Sequence, residues 1–317
     1  MSVNWLRVCK LVVGAGGTGL DLSELRISFE IIKTIEAQPN TATIKVYNLT
    51  REHNDTINEV YTDVFLTAGY RDNAAQIFAG NIQFVSHYRD QTDYITEITA
   101  GDGDRDYRLA YVNETLAAGG TDMQAVDICC KGMTTTKGVI QLNGGARLRG
   151  KPLCGHARDV LTQIARTNGC NWSIQDGVLQ MIHSNSMLPN EAIVISADTG
   201  LLEAAERNDK GIAAKTLLNP QIAINGAIHL DNSAIVLKMQ KQKTLGAQKP
   251  KTTPVQTNKD GIYKVIKLTH RGDNRDNEWC TEVECIGLGQ PIPASRTAAQ
   301  PGGVPNEGLA PEDMLPQ

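Results

Sequence analysis

The sequence has few aromatic residues, no C-x-x-C pair, no long apolar run and no excess of charge of one sign. Aromatics make up 5% of the 317 residues, too few for evident platforms that stack bases or sugars. Lysine and arginine total 31 against 35 aspartates and glutamates, a net charge of -4. This balance gives no global attraction to nucleic acid or anionic membrane. The apolar runs are far shorter than the roughly 20 residues of a membrane helix.

The cysteines favour neither a disulfide framework nor a zinc site. There are seven, an odd number, and their spacing does not pair up. Cys154-Gly155-His156 is the closest approach to a ligand pair, but no second pair lies near it. Reduced, mostly buried thiols are expected. Lys10 interrupts the apolar stretch near the N-terminus, which argues against a signal peptide and predicts synthesis in a cytoplasm.

The proportions of hydrophobic and charged residues are typical of a soluble globular protein. Hydrophobic residues make up 41% and charged residues 21% of the chain, enough for a sizeable core. At a prior of about 150 residues per domain, the length indicates two domains, with room for a small third.

The first hundred residues predict antiparallel strands. Apolar and polar residues alternate over 25–31 and again over 42–47, the period-2 pattern of a strand with one buried face. Residues 50–59 predict a short helix with Thr50 as its N-cap. Strands of this kind joined by Gly, Asn and Asp turns indicate a small barrel or sandwich.

The segment 113–198 has a different pattern and predicts a compact α+β unit. Thr121 and Gln124 form a capping box ahead of a helical repeat. A second helix is predicted from about 155 to 167, with Gly169 suited to its C-terminal cap. Two short strands follow, joined by an Asp176-Gly177 hairpin turn.

From residue 200 the pattern returns to strands. Strands are predicted at 222–224 and 228–230 around an Asn225-Gly226 turn, and at 235–239, 262–270 and 279–286, with a polar loop over 271–278. The loop 240–260 holds five lysines and no acid before Asp260. A solvated insertion is the favoured interpretation, with a segment that orders on a partner subunit or nucleic acid as the alternative. The last 28 residues hold six of the twelve prolines and predict a flexible tail.

The strongest internal signal is a repeat of a strand pair. A strand that begins with glycine ends in Ser86-His87 in one copy and in Thr269-His270 in the other. After a charged turn, an aromatic-x-Thr-Glu-aliphatic strand follows in each, beginning at Tyr94 and at Trp279. The copies lie 183 to 185 residues apart, which is far outside solenoid periods and indicates a duplicated domain.

Three short motifs resemble functional sites, but the residues around each of them do not fit the function. Gly14 to Gly19 match the dinucleotide fingerprint G-x-G-x-x-G, but the residues that follow alternate as a strand, and the motif requires a helix there. A flexible hairpin loop is predicted instead. Asp102 to Asp106 resemble the start of a calcium loop, yet Tyr107 replaces its glycine and Asn113 its bidentate glutamate. A charged turn at a strand end is predicted. Arg271-Gly272-Asp273 is assigned to a hairpin turn, where Gly and Asp are expected.

No residue is assigned a catalytic, cofactor or metal role. His87 and His270 occupy equivalent strand ends with no nucleophile or carboxylate partner evident, so both are predicted to be hydrogen-bonded structural histidines. G-x-S-x-G, H-E-x-x-H and Walker sequences are absent. These absences weigh against an enzyme.

Three segments resemble one family. Residues 216–230 and 261–279 are similar to the second barrel of the central hub proteins of bacteriophage tail baseplates, and 43–49 to an early strand of their first barrel. The same hub domain occurs in type VI secretion spikes. The resemblance covers most of 1–288; the Gly14–Gly19 turn and the proline-rich tail are not part of it. The chain is short for this family, so the accessory domains of larger hubs are expected to be absent.

The resemblance implies a mainly β (α+β) fold with two similar tube-like antiparallel β-barrel domains and a small α+β domain between them. The expected division is 1–112 for the first barrel, 113–198 for the α+β domain, 199–288 for the second barrel and 289–317 for the tail.

The function implied is structural. Three chains would form a ring of six similar barrels that joins a sixfold tail tube to a threefold spike around the DNA passage. Tail tube, spike and other baseplate proteins would be its partners, DNA would pass without tight binding, and no cofactor, membrane insertion or catalysis is expected. The location would be the virion baseplate, after assembly in the host cytoplasm. The alternatives are a β-rich, tail-associated cell-wall hydrolase and a nucleotide-binding protein that uses Gly14–Gly19.

Overall fold

The structure is a computed structural model that describes residues 6–142, 144–208, 211–231, 235–237 and 260–288. The N-terminal part contains seven strands and one helix: β1 (Arg7–Ala15), β2 (Thr18–Asp21), β3 (Ile27–Thr34), β4 (Asn40–Tyr47), α1 (Arg51–Glu59), β5 (Asp63–Tyr70), β6 (Ala75–Asp90) and β7 (Asp93–Asp102). The middle part contains α2 (Asp104–Leu109), β8 (Tyr111–Leu116), α3 (Asp122–Lys131), β9 (Thr136–Ile140), β10 (Lys151–His156), α4 (Ala157–Thr167), β11 (Cys170–Gln175) and β12 (Val178–His183).

The C-terminal part returns to strands. It contains β13 (Ile193–Ile195), a single 3₁₀ turn (Ala197–Thr199), β14 (Ala205–Asn208), β15 (Gly211–Leu217), β16 (Ala227–Leu230), β17 (Ile235–Leu237), β18 (Ile262–Asp273) and β19 (Trp279–Gly287). The fold is mainly β with a small α+β part, as predicted from the sequence.

Buried and partly exposed side chains alternate along the strands, as β3 illustrates. In β3, Ile27, Phe29 and Ile31 are buried, while Ser28 and Glu30 between them are half-buried. Successive side chains of a strand point to opposite faces, so one face of β3 packs on the core and the other remains in contact with solvent.

Two groups of five strands have the same connectivity. The first strand set runs β3-β4-β7-β6-β5 and the second strand set runs β14-β15-β19-β18-β16 in spatial order. All pairs inside both sets are antiparallel. Each set follows the same chain order, in which the last two strands form a long hairpin at its centre.

The registers of the two sets also agree. The cross-strand pair Lys45↔Glu97 recurs as Lys215↔Glu282, and His87↔Thr96 recurs as His270↔Thr281. The ladder of each central hairpin is interrupted at the same place, four residues before its histidine, between Ile82 and Phe84 and between Val265 and Lys267. The repeat seen in the sequence therefore corresponds to two hairpins of matching register and irregularity.

One strand pair joins the two sets into a continuous sheet. Residues 267–273 of β18 pair antiparallel with residues 28–34 of β3. Phe29 and Trp279 meet edge to face across this joint, with ring centroids 5.6 Å apart. Trp279 belongs to the core of the first strand set, so the two sets share apolar packing as well as backbone hydrogen bonds.

The middle part has its own core and the predicted local signals. Thr121 caps α3 through a capping box with Gln124, and α4 buries Val160, Leu161 and Ile164 against the strands. Asp176 and Gly177 both have positive φ, 53° and 77°, in the tight turn between β11 and β12.

Three sequence predictions need correction. Residues 222–224 do not form a strand but a turn, in which the Ile222 amide bonds to the Asn219 carbonyl. Residues 271–273 belong to β18 rather than to a loop, because β3 pairs with them. Asp102 to Asp106 end β7 and begin α2, and their three carboxylates are buried. The lysine-rich loop lies outside the described residues apart from Asp260, and the proline-rich tail lies outside them entirely.

Candidate functional site: the charged face of the sheet

The solvated face of the long sheet carries charged side chains that the registers bring to one side. Directly opposed residues of neighbouring strands share a face. Following the pairs from β14 to β7 places nine charged residues together, here called the charged face: Glu206, Lys215, Glu282, Glu284, Lys267, Arg271, Glu30, Lys45 and Glu97.

An arginine bridges the joint between the two strand sets. Arg271 of β18 donates from Nη2 and Nε to Glu30 Oε1 of β3, at 2.7 and 2.9 Å. Its Nη1 donates to Glu282 Oε1 of β19 at 3.1 Å. The hydrogen bond to Glu30 raises the pKa of Arg271. A planar guanidinium can engage two carboxylates in fixed geometry, so this residue holds three neighbouring strands in register on the solvated side.

The other bases of the charged face are paired too. Lys267 lies 3.1 Å from Glu284, and Lys45 lies 3.6 Å from Glu97. Lys215 lies 3.9 Å from Glu282 and 3.6 Å from Glu203, a neighbouring acid. The face therefore combines four bases, each beside a carboxylate, with five carboxylates, and offers no basic patch for phosphate groups.

The repeated histidines occupy contrasting environments on the opposite face. His270 is 1% exposed and its Nδ1 lies 2.9 Å from Thr281 Oγ1. Burial, with a smaller contribution from the nearby Lys33, lowers the pKa of His270 to about 3. His87 is exposed, and its Nδ1 lies 3.3 Å from Thr96 Oγ1. Both therefore contact the threonine opposite them, in line with the structural role predicted for each.

A buried polar cluster fixes the α+β unit to the first strand set. Asp102 accepts the backbone N–H groups of Asp176 and Gly177 at 2.6 and 3.0 Å. Asn40 donates to the Asp102 carboxylate at 3.2 Å, and Lys33 lies 2.5 Å from the Asp176 carboxylate. Burial, and secondly the charge of Asp176, raise the pKa of Asp102 to about 6. The β11–β12 turn is thus held by a carboxylate at the end of β7.

The acids of the calcium-like motif contact different groups and do not converge. Asp102 holds the turn described above, and Asp104 accepts from Gln83 at 2.8 Å. Asp106 accepts the backbone N–H groups of Thr134 and Thr135 at 2.9 and 2.8 Å. Over the ranges that the structure describes, no group of three or more His, Cys, Asp or Glu side chains is placed to hold a metal ion.

The remaining motifs have local partners. The dinucleotide-like motif lies in the hairpin of β1 and β2, as predicted: Gly16 and Gly17, with φ of 59° and 89°, form the turn. Gly14 and Gly19 pair with each other in the strands. Cys154 is exposed, with its Sγ 3.4 Å from the Tyr111 hydroxyl. Among the described helices, none has the length and apolar character that crossing a bilayer requires.

Sequence reasoning did not identify the charged face. A signal was present, since charged residues alternate with apolar ones at Glu30, Lys45, Glu97 and Glu282. Their assembly on one face depends on which strands pair, and the β18–β3 pair joins residues about 240 positions apart. Without that pairing, each charge is indistinguishable from an ordinary solvated position.

Comparison with known proteins places the chain among phage tail components. The family profile described as Baseplate hub gp41 matches residues 8–235. The 43 kDa tail protein of prophage MuSo2 from Shewanella oneidensis aligns with a TM-score of 0.56 at 10% identity, over 87% of this chain and 97% of that one. A tail protein from Neisseria meningitidis MC58 aligns with a TM-score of 0.56 at 9% identity, over 89% and 96%.

A secretion-system protein has a similar fold. The E. coli c3393 protein, described as a type VI secretion component with structural similarity to the T4 tail proteins gp27 and gp5, aligns with a TM-score of 0.56 at 10% identity. The alignment covers 90% of this chain and 79% of that one. No curated protein matches the sequence. At these identities the structures establish the fold alone.

The fold is shared with phage tail proteins and with a component of the type VI secretion system. The family profile spans well over half of the sequence, and the chain belongs to the Baseplate hub gp41 family. The resemblance predicted from the sequence is thereby confirmed. Membership gives the protein a structural role in a phage tail and points away from catalysis.

Proposed function

We propose that three copies of this chain form a ring in the tail baseplate, between the sixfold tail tube and the threefold spike, with the DNA passage at its centre. The observation that carries the proposal is the matching register of the two strand sets. A chain with two similar modules lets three molecules present six similar surfaces. Head-to-tail contacts between such modules generate a closed ring when the rotation closes.

The charged face suits the wall of a DNA passage. Proteins that hold DNA tightly neutralise several phosphates with lysine and arginine. On this face each base lies beside a carboxylate, and acids outnumber bases by five to four. A wall of this composition repels the phosphate backbone slightly and gives it no point of strong attachment.

The stoichiometry can be tested on the particle. Mass measurement of the isolated hub, together with a low-resolution image of the tail, should give three copies of this chain in a ring at the end of the tube. One copy, or six, in assembled tails would contradict the proposal. Clearing of cell-wall substrate by the purified protein would instead support the hydrolase alternative.

The passage role can be tested by charge reversal. Native protein should bind duplex DNA weakly at physiological salt, and sub-micromolar affinity would count against the proposal. A Glu282→Lys, Glu284→Lys variant should bind DNA more tightly, with a salt dependence steeper by about 2 logarithmic units per decade of salt. The matched control is Glu59→Lys, Glu191→Lys, which changes the net charge equally at exposed positions off the charged face. Equal DNA binding by the two variants would show that the charged face is not the surface that meets DNA.

A further inference from the structure

The polar cluster that fixes the α+β unit contains an amine and a carboxyl group in direct contact. Lys33 of β3 is 6% exposed, and its Nζ lies 2.5 Å from Oδ2 of Asp176 in the β11–β12 turn. The two residues are 143 positions apart in the sequence. The fold therefore brings together, from two parts of the molecule, the two groups that an amide bond requires.

The amine of Lys33 lies where burial opposes its charge. Lys33 stands opposite Leu268 in the β3–β18 ladder. After burial, the charge of Lys33 is the second cause of the lowered pKa of His270, so this lysine has a buried neutral side chain near it. Charges are costly in such surroundings. Transfer of one proton from the ammonium group to the Asp176 carboxylate removes both charges and leaves a nucleophilic amine beside a carboxylic acid.

The carboxyl group of Asp176 is incompletely paired. Its Oδ1 atom is buried and has no hydrogen-bond partner among the residues that the structure describes. A buried oxygen without a partner is unfavourable, and most buried polar atoms of proteins are paired. Conversion of this carboxyl group to an amide leaves one oxygen to be satisfied instead of two.

A second carboxyl group lies beside the pair. Asp102 is 0% exposed and accepts the backbone N–H groups of Asp176 and Gly177 at 2.6 and 3.0 Å. Burial, and secondly the charge of Asp176, raise the pKa of Asp102 to about 6, while the charge of Lys33 acts in the opposite direction. A carboxyl group with this pKa can take up and release a proton near neutral pH.

We infer that Lys33 and Asp176 form an isopeptide bond that joins the first strand set covalently to the α+β unit. Lys33 Nζ attacks Asp176 Cγ, an N–C bond forms, one C–O bond breaks and one water molecule leaves. Asp102 takes a proton from Nζ and gives a proton to the departing oxygen, so its own charge is restored at the end. The reaction needs no oxidant or other co-reactant, because contact within the fold makes the attack unimolecular.

A covalent bond would change how the α+β unit is attached. Among the described residues, the apolar cores of this unit and of the first strand set have no member in common. The attachment is polar instead: besides the pair, Gln175 Nε2 donates to the Thr34 carbonyl at 2.9 Å. An isopeptide bond would keep the two parts together under load and would also restrict the unfolded chain, which stabilises the folded state. The inference goes beyond the proposed ring and does not depend on it.

Mass spectrometry of the purified chain tests the bond. The denatured chain should be lighter by one water molecule than its sequence requires. After digestion with trypsin, residues 27–45 should be joined to residues 167–207, without cleavage after Lys33. Two linear peptides of full mass would overturn the inference.

Another reaction removes the same mass and has to be distinguished. An Asp-Gly sequence such as Asp176-Gly177 can close to a succinimide, which would remove water from the single peptide 167–207. Hydroxylamine cleaves a succinimide but leaves an isopeptide bond intact. A loss of water that is confined to this one peptide would overturn the inference.

A matched pair controls for simple proximity. Lys137 Nζ also lies 2.5 Å from a carboxylate, that of Asp127, but these side chains are 42% and 44% exposed. Their peptides should remain unlinked in the same digest. A cross-link between them would show that contact alone suffices, and would overturn the role given to burial and to Asp102.

Substitutions separate the roles of the three residues. Lys33→Arg keeps the positive charge without the amine, and Asp176→Ala removes the carboxyl group, so both variants should have full mass. The control Lys137→Arg should keep the loss of water. Asp102→Asn should retain the native circular dichroism spectrum and leave the bond unformed. A native yield of the cross-link in Asp102→Asn would overturn the proton transfer assigned to Asp102.

Discussion

The two central hairpins share a register and differ in what covers them. In the β18–β19 hairpin, β3 covers the outer half of the long strand, and His270 is buried beneath the sheet. In the β6–β7 hairpin no strand among the described residues covers the same half, and His87 is exposed. Local sequence therefore determines the strands, the turn and the cross-strand pairing, and these are the same in the β6–β7 and β18–β19 hairpins. The environment of each residue is set by neighbours that come from distant parts of the chain.

The largest expected effect follows from the buried histidine. Because the pKa of His270 is lowered to about 3, the folded state keeps it neutral while the unfolded state takes up a proton near pH 6.5. Its contribution to the free energy of unfolding is present above pH 6.5 and lost as the pH falls. The loss should be about 2 kcal/mol at pH 5 and about 4 kcal/mol at pH 3.

Denaturant unfolding across this pH range measures the effect. A His270→Gln variant should lose that part of the acid dependence, whereas the matched His87→Gln variant should keep the native pH profile. Equal pH profiles for the His270→Gln variant and the native protein would contradict the assignment.

A smaller difference in the free energy of unfolding is expected for the aliphatic residue that lies two positions before the histidine in each hairpin. Leu268 is 1% exposed in the core of the second strand set, and Val85, its equivalent, is half-buried. Leu268→Ala should lower the free energy of unfolding by about 3 kcal/mol, since it leaves a cavity in a packed core. Val85→Ala should cost about 1 kcal/mol or less, because its site is only partly packed. Similar losses for the two variants, measured in urea, would mean that the two hairpins are equally covered in solution.

The smallest effect concerns the polar contacts of the charged face. Arg271→Lys removes the bidentate contact to Glu30 and the bond to Glu282 but keeps the charge. These groups are 36% to 43% exposed, so solvent screens them and the loss should be about 1 kcal/mol or less. Tyr88→Phe, the matched change in the other hairpin, should cost no more than a few tenths of a kcal/mol. High salt should reduce the loss of unfolding free energy caused by Arg271→Lys and leave the loss caused by Tyr88→Phe unchanged. A larger loss from Tyr88→Phe than from Arg271→Lys would reverse the comparison.

Local features were predictable from the sequence. Period-2 alternation predicted β4, the capping box at Thr121 predicted α3, and Asp176-Gly177 predicted a tight hairpin turn, and all three are present. Each depends on residues a few positions apart, where backbone sterics and side-chain capping decide the conformation. The family was predicted from the resemblance of residues 43–49, 216–230 and 261–279 to hub proteins, and the full fold class was what that resemblance implied.

Features that depend on distant partners were not predictable. The chain past His270 remains a strand because β3 pairs with it. Asp102 and Asp106 are buried because the α+β unit covers them. Residues 222–224 have a strand-like apolar pattern, but the amide of Asn225 bonds to Val265 in a turn beside β18. In each case tertiary hydrogen bonding overrode local propensity.

The β18–β3 joint also has a consequence for biosynthesis. β3 is made early, and its partner residues 267–273 emerge more than 230 residues later. At ribosomal speeds of about 5 to 20 residues per second, the nascent chain carries an uncovered strand for roughly 10 to 50 seconds. During that interval neighbouring chains on one polysome could satisfy each other's strands before their own C-terminal halves exist. Slow translation or holding by a chaperone should therefore influence the yield of this protein more than that of a protein whose early strands find partners at once.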